Sequence, residues 1–294
     1  MSITLLLVDS PVDFSGAPED TAALLGLPLG HRTVFGHLVD RLGSLAEKDI
    51  LVTSTAQFPP GYAEQLQAQA SQKVRLVTRD ELTPILNDLE TSDSLLIVDA
   101  RFWLVDGYDT ASLRQTRDEY RGATFGVAVG SDIDGAREVV EHDRDGRVRR
   151  VQRFYNAVSW PEVASSNTAY ALLPGRCIRD AAFSTIPELR VSLAARGMLT
   201  YDVPILSDTL DLTNEDEFLA LHERLLTELA ERADSVPGYR RVSPGVLIAD
   251  GAQVAPTARL IGPVLVERGA VIETEAVVIG PALVGTASRI EKGG

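Results

Sequence analysis

Cysteine is almost absent from this chain: Cys177 is the single one in 294 residues. That excludes an intrachain disulfide framework and fits a reducing compartment. Basic residues are also scarce, with 28 Lys and Arg against 42 Asp and Glu and a formal net charge of −14. Non-specific nucleic-acid binding depends on Lys and Arg neutralising phosphates, so that class is excluded. A small phosphorylated ligand held in a local site is not. Long apolar runs are missing too. No stretch approaches the ~20 residues that cross a bilayer. The apolar run from Ile3 to Val8 has neither the basic flank nor the length of a signal peptide. These absences predict a soluble, cytoplasmic chain without nucleic-acid or membrane partners. The four histidines, His31, His37, His142 and His222, show no metal-ligand spacing. No Ser-His-Asp or Cys-His nucleophile arrangement is legible.

What is present is a repeat. From Ile248 onward an aliphatic residue returns every sixth position: Val254, Leu260, Val266, Ile272, Val278, Val284 and Ile290. Two residues before each stands a small one, from Val246 and Ala252 to Ala282 and Ser288. A period of six fits neither a helix nor a hairpin and predicts a parallel β-helix. The sequence breaks off within a hexad, at Lys292-Gly293-Gly294. Because a solenoid needs a polar cap at a free end, the expectation is that further chain or another subunit covers it. The partners expected on that ground are a homo-oligomer or a fused C-terminal domain.

Residues 1–234 alternate strand and helix signals. Ile3 to Val8, Ile50 to Thr53, Val74 to Val77 and Leu95 to Val98 read as buried strands. Helical spacing falls between them at Thr33 to Leu45, Gly61 to Ser71 and Leu82 to Leu89. The order predicts an α/β domain around a mainly parallel sheet. Ligands bind beyond the carboxyl ends of such strands, where Asp9 and Asp99 stand. Further on, Asp145-Gly146 predicts a tight hairpin turn. Phe218, Leu221, His222, Leu225 and Leu229 form one helical stripe. Residues 235–244 read as a linker and 245–294 as the repeat domain.

In order and spacing these segments resemble the sugar-1-phosphate nucleotidyltransferases, or nucleotide-sugar pyrophosphorylases, many of which carry a C-terminal left-handed β-helix of hexapeptide repeats. The resemblance rests on Leu95-Leu96-Ile97-Val98-Asp99, Asp145-Gly146-Arg147-Val148, Asn167-Thr168-Ala169-Tyr170 and Asp211-Leu212-Thr213, together with the hexads. It implies a nucleotide-diphospho-sugar-transferase-like mixed sheet flanked by helices, then a left-handed parallel β-helix. It also implies Mg²⁺ held by Asp99 and Asp211, a sugar-side Asn167, and Arg32 and Arg153 as contacts to a nucleotide or sugar phosphate.

One motif of that family is missing. Its members follow the first strand with a Gly-rich loop whose amides cradle phosphates, and close backbone approach needs glycine there. Here Asp9 to Asp20 holds one glycine, two prolines and four carboxylates. Nucleotidyl transfer depends on positioning and on stabilising charge at phosphorus, so losing the cradle removes most of the catalytic apparatus. The expectation is a nucleotidyltransferase-fold protein of nucleotide-sugar or polysaccharide metabolism. It binds a nucleotide or sugar phosphate with weak or no pyrophosphorylase activity, as a regulatory or scaffolding part of a larger sugar-transferring protein. The alternatives are an active Mg-dependent enzyme with a rebuilt loop and, lower, an acyltransferase at the β-helix.

Overall fold

Every residue of the first strand, β1 (Ile3–Asp9), is buried, as a central strand without a solvent side requires. The computed structural model describes residues 2–14, 21–120, 122–129, 137–142, 147–154, 166–179, 181–205, 207–232 and 238–292. The chain divides into two compact units, Met1–Leu27 with Val34–Glu215, and Pro28–Thr33 with Asp216–Gly294.

In the first unit β1 is followed by two short paired strands, β2 (Pro11–Val12) and β3 (Ala22–Ala23). Ahead of the second unit's hairpin lies a 3-10 turn, Leu24–Gly26. The hairpin's strands are β4 (Pro28–Leu29) and β5 (Arg32–Thr33). Helix α1 (Val34–Leu42) leads to β6 (Ile50–Ser54), α2 (Tyr62–Gln67) to β7 (Val74–Leu76), and α3 (Arg79–Asn87) to β8 (Ser94–Asp99). The capping box of α3 is complete: Thr78 Oγ1 accepts from the Glu81 amide and the Glu81 carboxylate accepts from the Thr78 amide. Next come β9 (Phe102–Leu104), α4 (Thr110–Glu119) and β10 (Ala123–Val129). An antiparallel pair follows, β11 (Arg137–His142) with β12 (Val148–Phe154). The Asp145-Gly146 turn lies outside the described residues. The unit closes with β13 (Ser166–Pro174), α5 (Gly175–Ile178), α6 (Ile186–Ala195), β14 (Thr200–Pro204) and β15 (Thr209–Asp211).

Seven strands form one mixed sheet in the order β14-β10-β13-β8-β1-β6-β7. All neighbours run parallel except β13, which is antiparallel to both β10 and β8. The carboxyl ends of β1, β8, β10 and β14 therefore share an edge with the amino end of β13. Alternate side chains of the strands, Leu6 and Val8, Leu95 and Ile97, Phe125 and Val127, Ala171 and Leu173, fill one core. Leu82, Leu86, Ile178, Ile186, Leu189 and Leu193 join them from α3, α5 and α6. Each fully buried Leu or Ile contributes about 1.5–3 kcal/mol. Gly126 is needed where it stands, because a Cβ there would meet the Tyr170 ring at 2.1 Å.

The second unit holds the β4–β5 hairpin, nearly all of α7 (Glu215–Arg232), and short strands from β16 (Tyr239–Ser243) onward. These are β17 (Val246–Ala249), β18 (Gln253–Val254), β19 (Arg259–Ile261), β20 (Val264–Val266), β21 (Val271–Ile272), β22 (Val277–Ile279), β23 (Ala282–Val284) and β24 (Arg289–Ile290). Their pairings are β17-β20-β23, β18-β21-β24 and β19-β22, all parallel, with Val246 beside Val264 and Val264 beside Ala282. One circuit thus takes three hexads. Ile248, Val266, Ile272 and Val284 meet in one apolar cluster, while Leu247 and Leu265 pack with Leu226 of α7. Successive turns touch closely: a Cβ on Gly280 would lie 1.8 Å from the Pro263 carbonyl oxygen. In α7, His222 accepts a hydrogen bond from the Gly30 amide through Nδ1 at 3.2 Å.

Candidate functional site

Parallel pairing sets Asp99, at the end of β8, beside Val8, the neighbour of Asp9. Asp211 arrives through a separate pairing, in which β15 runs antiparallel to β9 and Asp211 lies opposite Phe102. Three carboxylates so reach the carboxyl edge of the sheet, each nearly buried, with relative exposures of 1% for Asp9, 9% for Asp99 and 7% for Asp211. Buried carboxylates persist only with strong partners or with a raised pKa. Both solutions occur here.

Asp9 faces back into the protein. Its Oδ1 accepts from the amides of Ser10 at 2.9 Å and Leu25 at 3.0 Å, and its Oδ2 accepts from the Tyr62 hydroxyl at 2.7 Å. Burial raises its pKa, and those donors offset part of the rise. Tyr62 answers with a raised pKa of its own, from burial and the facing Asp9 charge.

Arg101 links the other two. Its amide donates to Asp99 Oδ1 at 3.0 Å. Its Nε donates to both oxygens of Asp211 at 2.9 Å, and Nη2 donates to Oδ2 at 2.5 Å. Thr213 adds its amide at 3.0 Å and its hydroxyl at 2.7 Å to Asp211 Oδ1. Burial opposes ionisation of Asp211, but Arg101 and Thr213 outweigh it and hold the carboxyl below its ordinary range. Asp99 is pushed up to about 6, first by burial and further by the charges of Asp211 and Asp9, against the opposing effect of Arg101. A Mg²⁺ ion bridging Asp99 and Asp211 does not fit this arrangement, since a guanidinium already spans both Asp211 oxygens. Among the described residues no group of three or more His, Cys, Asp or Glu is placed to hold a metal.

Beside this cluster opens a cleft of about 450 Å³, lined by Tyr108, Tyr170, Ser112, Thr116, Ser207 and Ile205 among others, with no Lys or Arg among its described lining residues. The rings of Tyr108 and Tyr170 meet edge to face, 6.1 Å between centroids. The buried Tyr108 hydroxyl has no hydrogen-bond partner. Burial and the charge of Asp99 raise its pKa. Asp109 is occupied as the cap of α4, accepting from the Ala111 and Ser112 amides.

Of the remaining residues singled out in the sequence, one belongs to the second unit and two have side chains outside the described residues. Arg32 belongs to the β4–β5 hairpin of the second unit, exposed, with Nε donating to His31 at 3.3 Å. Arg153 pairs with Glu138 in the β11–β12 ladder, and Asn167 lies opposite Ala128 in β13, at the carboxyl edge. The side chains of both are outside the described residues. Arg101, Tyr62 and Tyr108 escaped the sequence reading because each sits in no motif. Only the structure shows what they face.

Several solved structures share the fold of this chain. HddC from Yersinia pseudotuberculosis matches with a TM-score of 0.56 at 10% identity, over 76% of this chain and 99% of that one. The UTP-bound UGPase from Acinetobacter baumannii matches at 0.54 and 9%, over 80% and 95%. A Bacillus anthracis protein described as a glucose-1-phosphate thymidylyltransferase, in complex with sucrose, matches at 0.58 and 11%, over 81% and 98%. At these identities the likeness is one of fold: a mixed α/β domain with the nucleotidyltransferase-like central sheet. No family model and no curated protein matches the sequence.

Proposed function

We propose that this chain is a nucleotidyltransferase-fold protein of nucleotide-sugar or polysaccharide metabolism that binds a nucleotide sugar or sugar phosphate with weak or no pyrophosphorylase turnover. One observation carries the reading. The amides of Ser10, just past the first strand, and of Leu25, in the 3-10 turn, are taken by the chain's own Asp9 carboxylate. An internal anion held there competes with an entering phosphate, in charge and in space. The cleft beside the carboxylates supports the binding half of the reading. Its tyrosines and hydroxyls suit the sugar moiety of such a ligand. The solved UTP-bound UGPase and the sucrose complex of the B. anthracis protein are consistent with such ligand classes. In the same reading the hexads form a left-handed parallel β-helix that serves as a scaffolding module.

A calorimetric screen of nucleotide sugars, sugar phosphates and free sugars tests this reading. Saturable binding of a sugar-bearing ligand is expected. Tyr108→Phe should weaken it about five-fold, the loss of roughly 1 kcal/mol for one hydrogen bond. Stability should not fall, because the hydroxyl has no partner in the free protein. Absence of binding across the whole screen would overturn the proposal.

A further inference from the structure

We propose that Arg101 is the resident cation of the carboxylate cluster, standing in for a divalent metal, so that the chain does not take up Mg²⁺ or Mn²⁺ there. The inference draws on the nucleotidyltransferase reading only for the choice of metal; the geometry stands by itself. An ionised carboxylate offers about four acceptor positions. Asp211 already receives three contacts from the guanidinium and two from Thr213. No acceptor position is left on it. Mg²⁺ requires close, near-octahedral oxygen ligation, so an entering ion would have to expel Arg101 and then remain near its fixed positive charge.

The same residue serves Asp99 in another way, since its amide occupies Oδ1. One residue therefore ties both carboxylates, by side chain to one and by backbone to the other. Asp9 offers no replacement ligand, because its oxygens are engaged by Ser10, Leu25 and Tyr62. Removing the guanidinium alone changes the outcome. Two nearly buried carboxylates, Asp99 and Asp211, would then lose the guanidinium's charge, and a divalent cation from solution would offset that loss.

The test compares thermal unfolding of the full chain with and without millimolar Mg²⁺ or Mn²⁺, and counts bound Mn²⁺ by electron paramagnetic resonance. Wild type is expected to show neither a shift nor saturable Mn²⁺ uptake. Arg101→Ala is expected to unfold at lower temperature and to recover saturably by about 4 °C or more with metal, as ligand binding to the folded state requires. Arg101→Gln, which keeps length and some hydrogen bonding without charge, should respond in the same direction if the alanine variant does not fold. Wild-type Mn²⁺ uptake that Asp99→Asn abolishes would overturn the proposal. So would folded Arg101 variants that bind no metal. Neither readout involves sugar or nucleotide, so failure here is separable from failure of the functional reading.

Discussion

Two buried aspartates, Asp93 just before β8 and Asp99 at its end, respond to pH in opposite senses. Asp93 accepts from Lys48 Nζ at 2.7 Å and from the amide and hydroxyl of Ser2, and the Lys48 bond chiefly holds its pKa well below the ordinary range. Its contribution to stability is present above the unfolded pKa and is lost as pH falls. Asp99, raised to about 6 by burial, is the reverse case. Its contribution is fully present below the ordinary carboxylate value of 3.8 and is lost as pH rises through about 6. Asp99→Asn should therefore flatten the stability profile across that window, removing a fall on the order of 2–3 kcal/mol. Urea unfolding at a series of pH values measures it. An unchanged profile in the variant would show that Asp99 titrates normally. None of this was legible beforehand. Asp99 was visible as the residue ending an apolar run, but its partner Arg101 belongs to no motif.

Among the elements, the buried strands were the easiest to read. Ile3 to Val8 and Leu95 to Val98 are continuous apolar runs because both faces of the sheet are covered. Helix α4 escaped notice: Leu113 is the one buried position among its described residues, so hydrophobic periodicity is silent, and its start is set by the Asp109 cap. Helix α6 hides a different feature. Arg190 reads as a surface residue, yet it is 1% exposed, donates to Thr168 Oγ1 at 2.7 Å, and pairs through Nη2 with both oxygens of Asp202 on β14. Its guanidinium also lies 4.8 Å from the centre of the Phe125 ring. Arg190→Ala breaks this buried pair and should cost about 3–5 kcal/mol, read by chemical denaturation. A loss below about 1 kcal/mol would mean that solvent already screens the pair. In the repeat, Ile272→Ala should cost about 2–5 kcal/mol, since Ile272 is 1% exposed in the aliphatic cluster.

For the whole molecule, the sequence made the class of fold legible and left the chemistry of the site open. Apolar runs marked the strands along the chain, whereas closure of the carboxyl edge depends on contacts distant in sequence: Tyr62 with Asp9, Arg101 with Asp211, Leu25 with Asp9. Each of the two units has its own apolar core, and no helix among the described residues is long and apolar enough to cross a membrane. A sheet of nucleotidyltransferase-like form here carries carboxylates that its own side chains and amides engage. Pyrophosphate release from nucleoside triphosphate and sugar-1-phosphate pairs, with Mg²⁺ present, tests the proposed weak or absent turnover most directly. Turnover well below ~1 s⁻¹ for every pair is the predicted result, and release at or above that rate, in the ordinary range of enzymes, would contradict it.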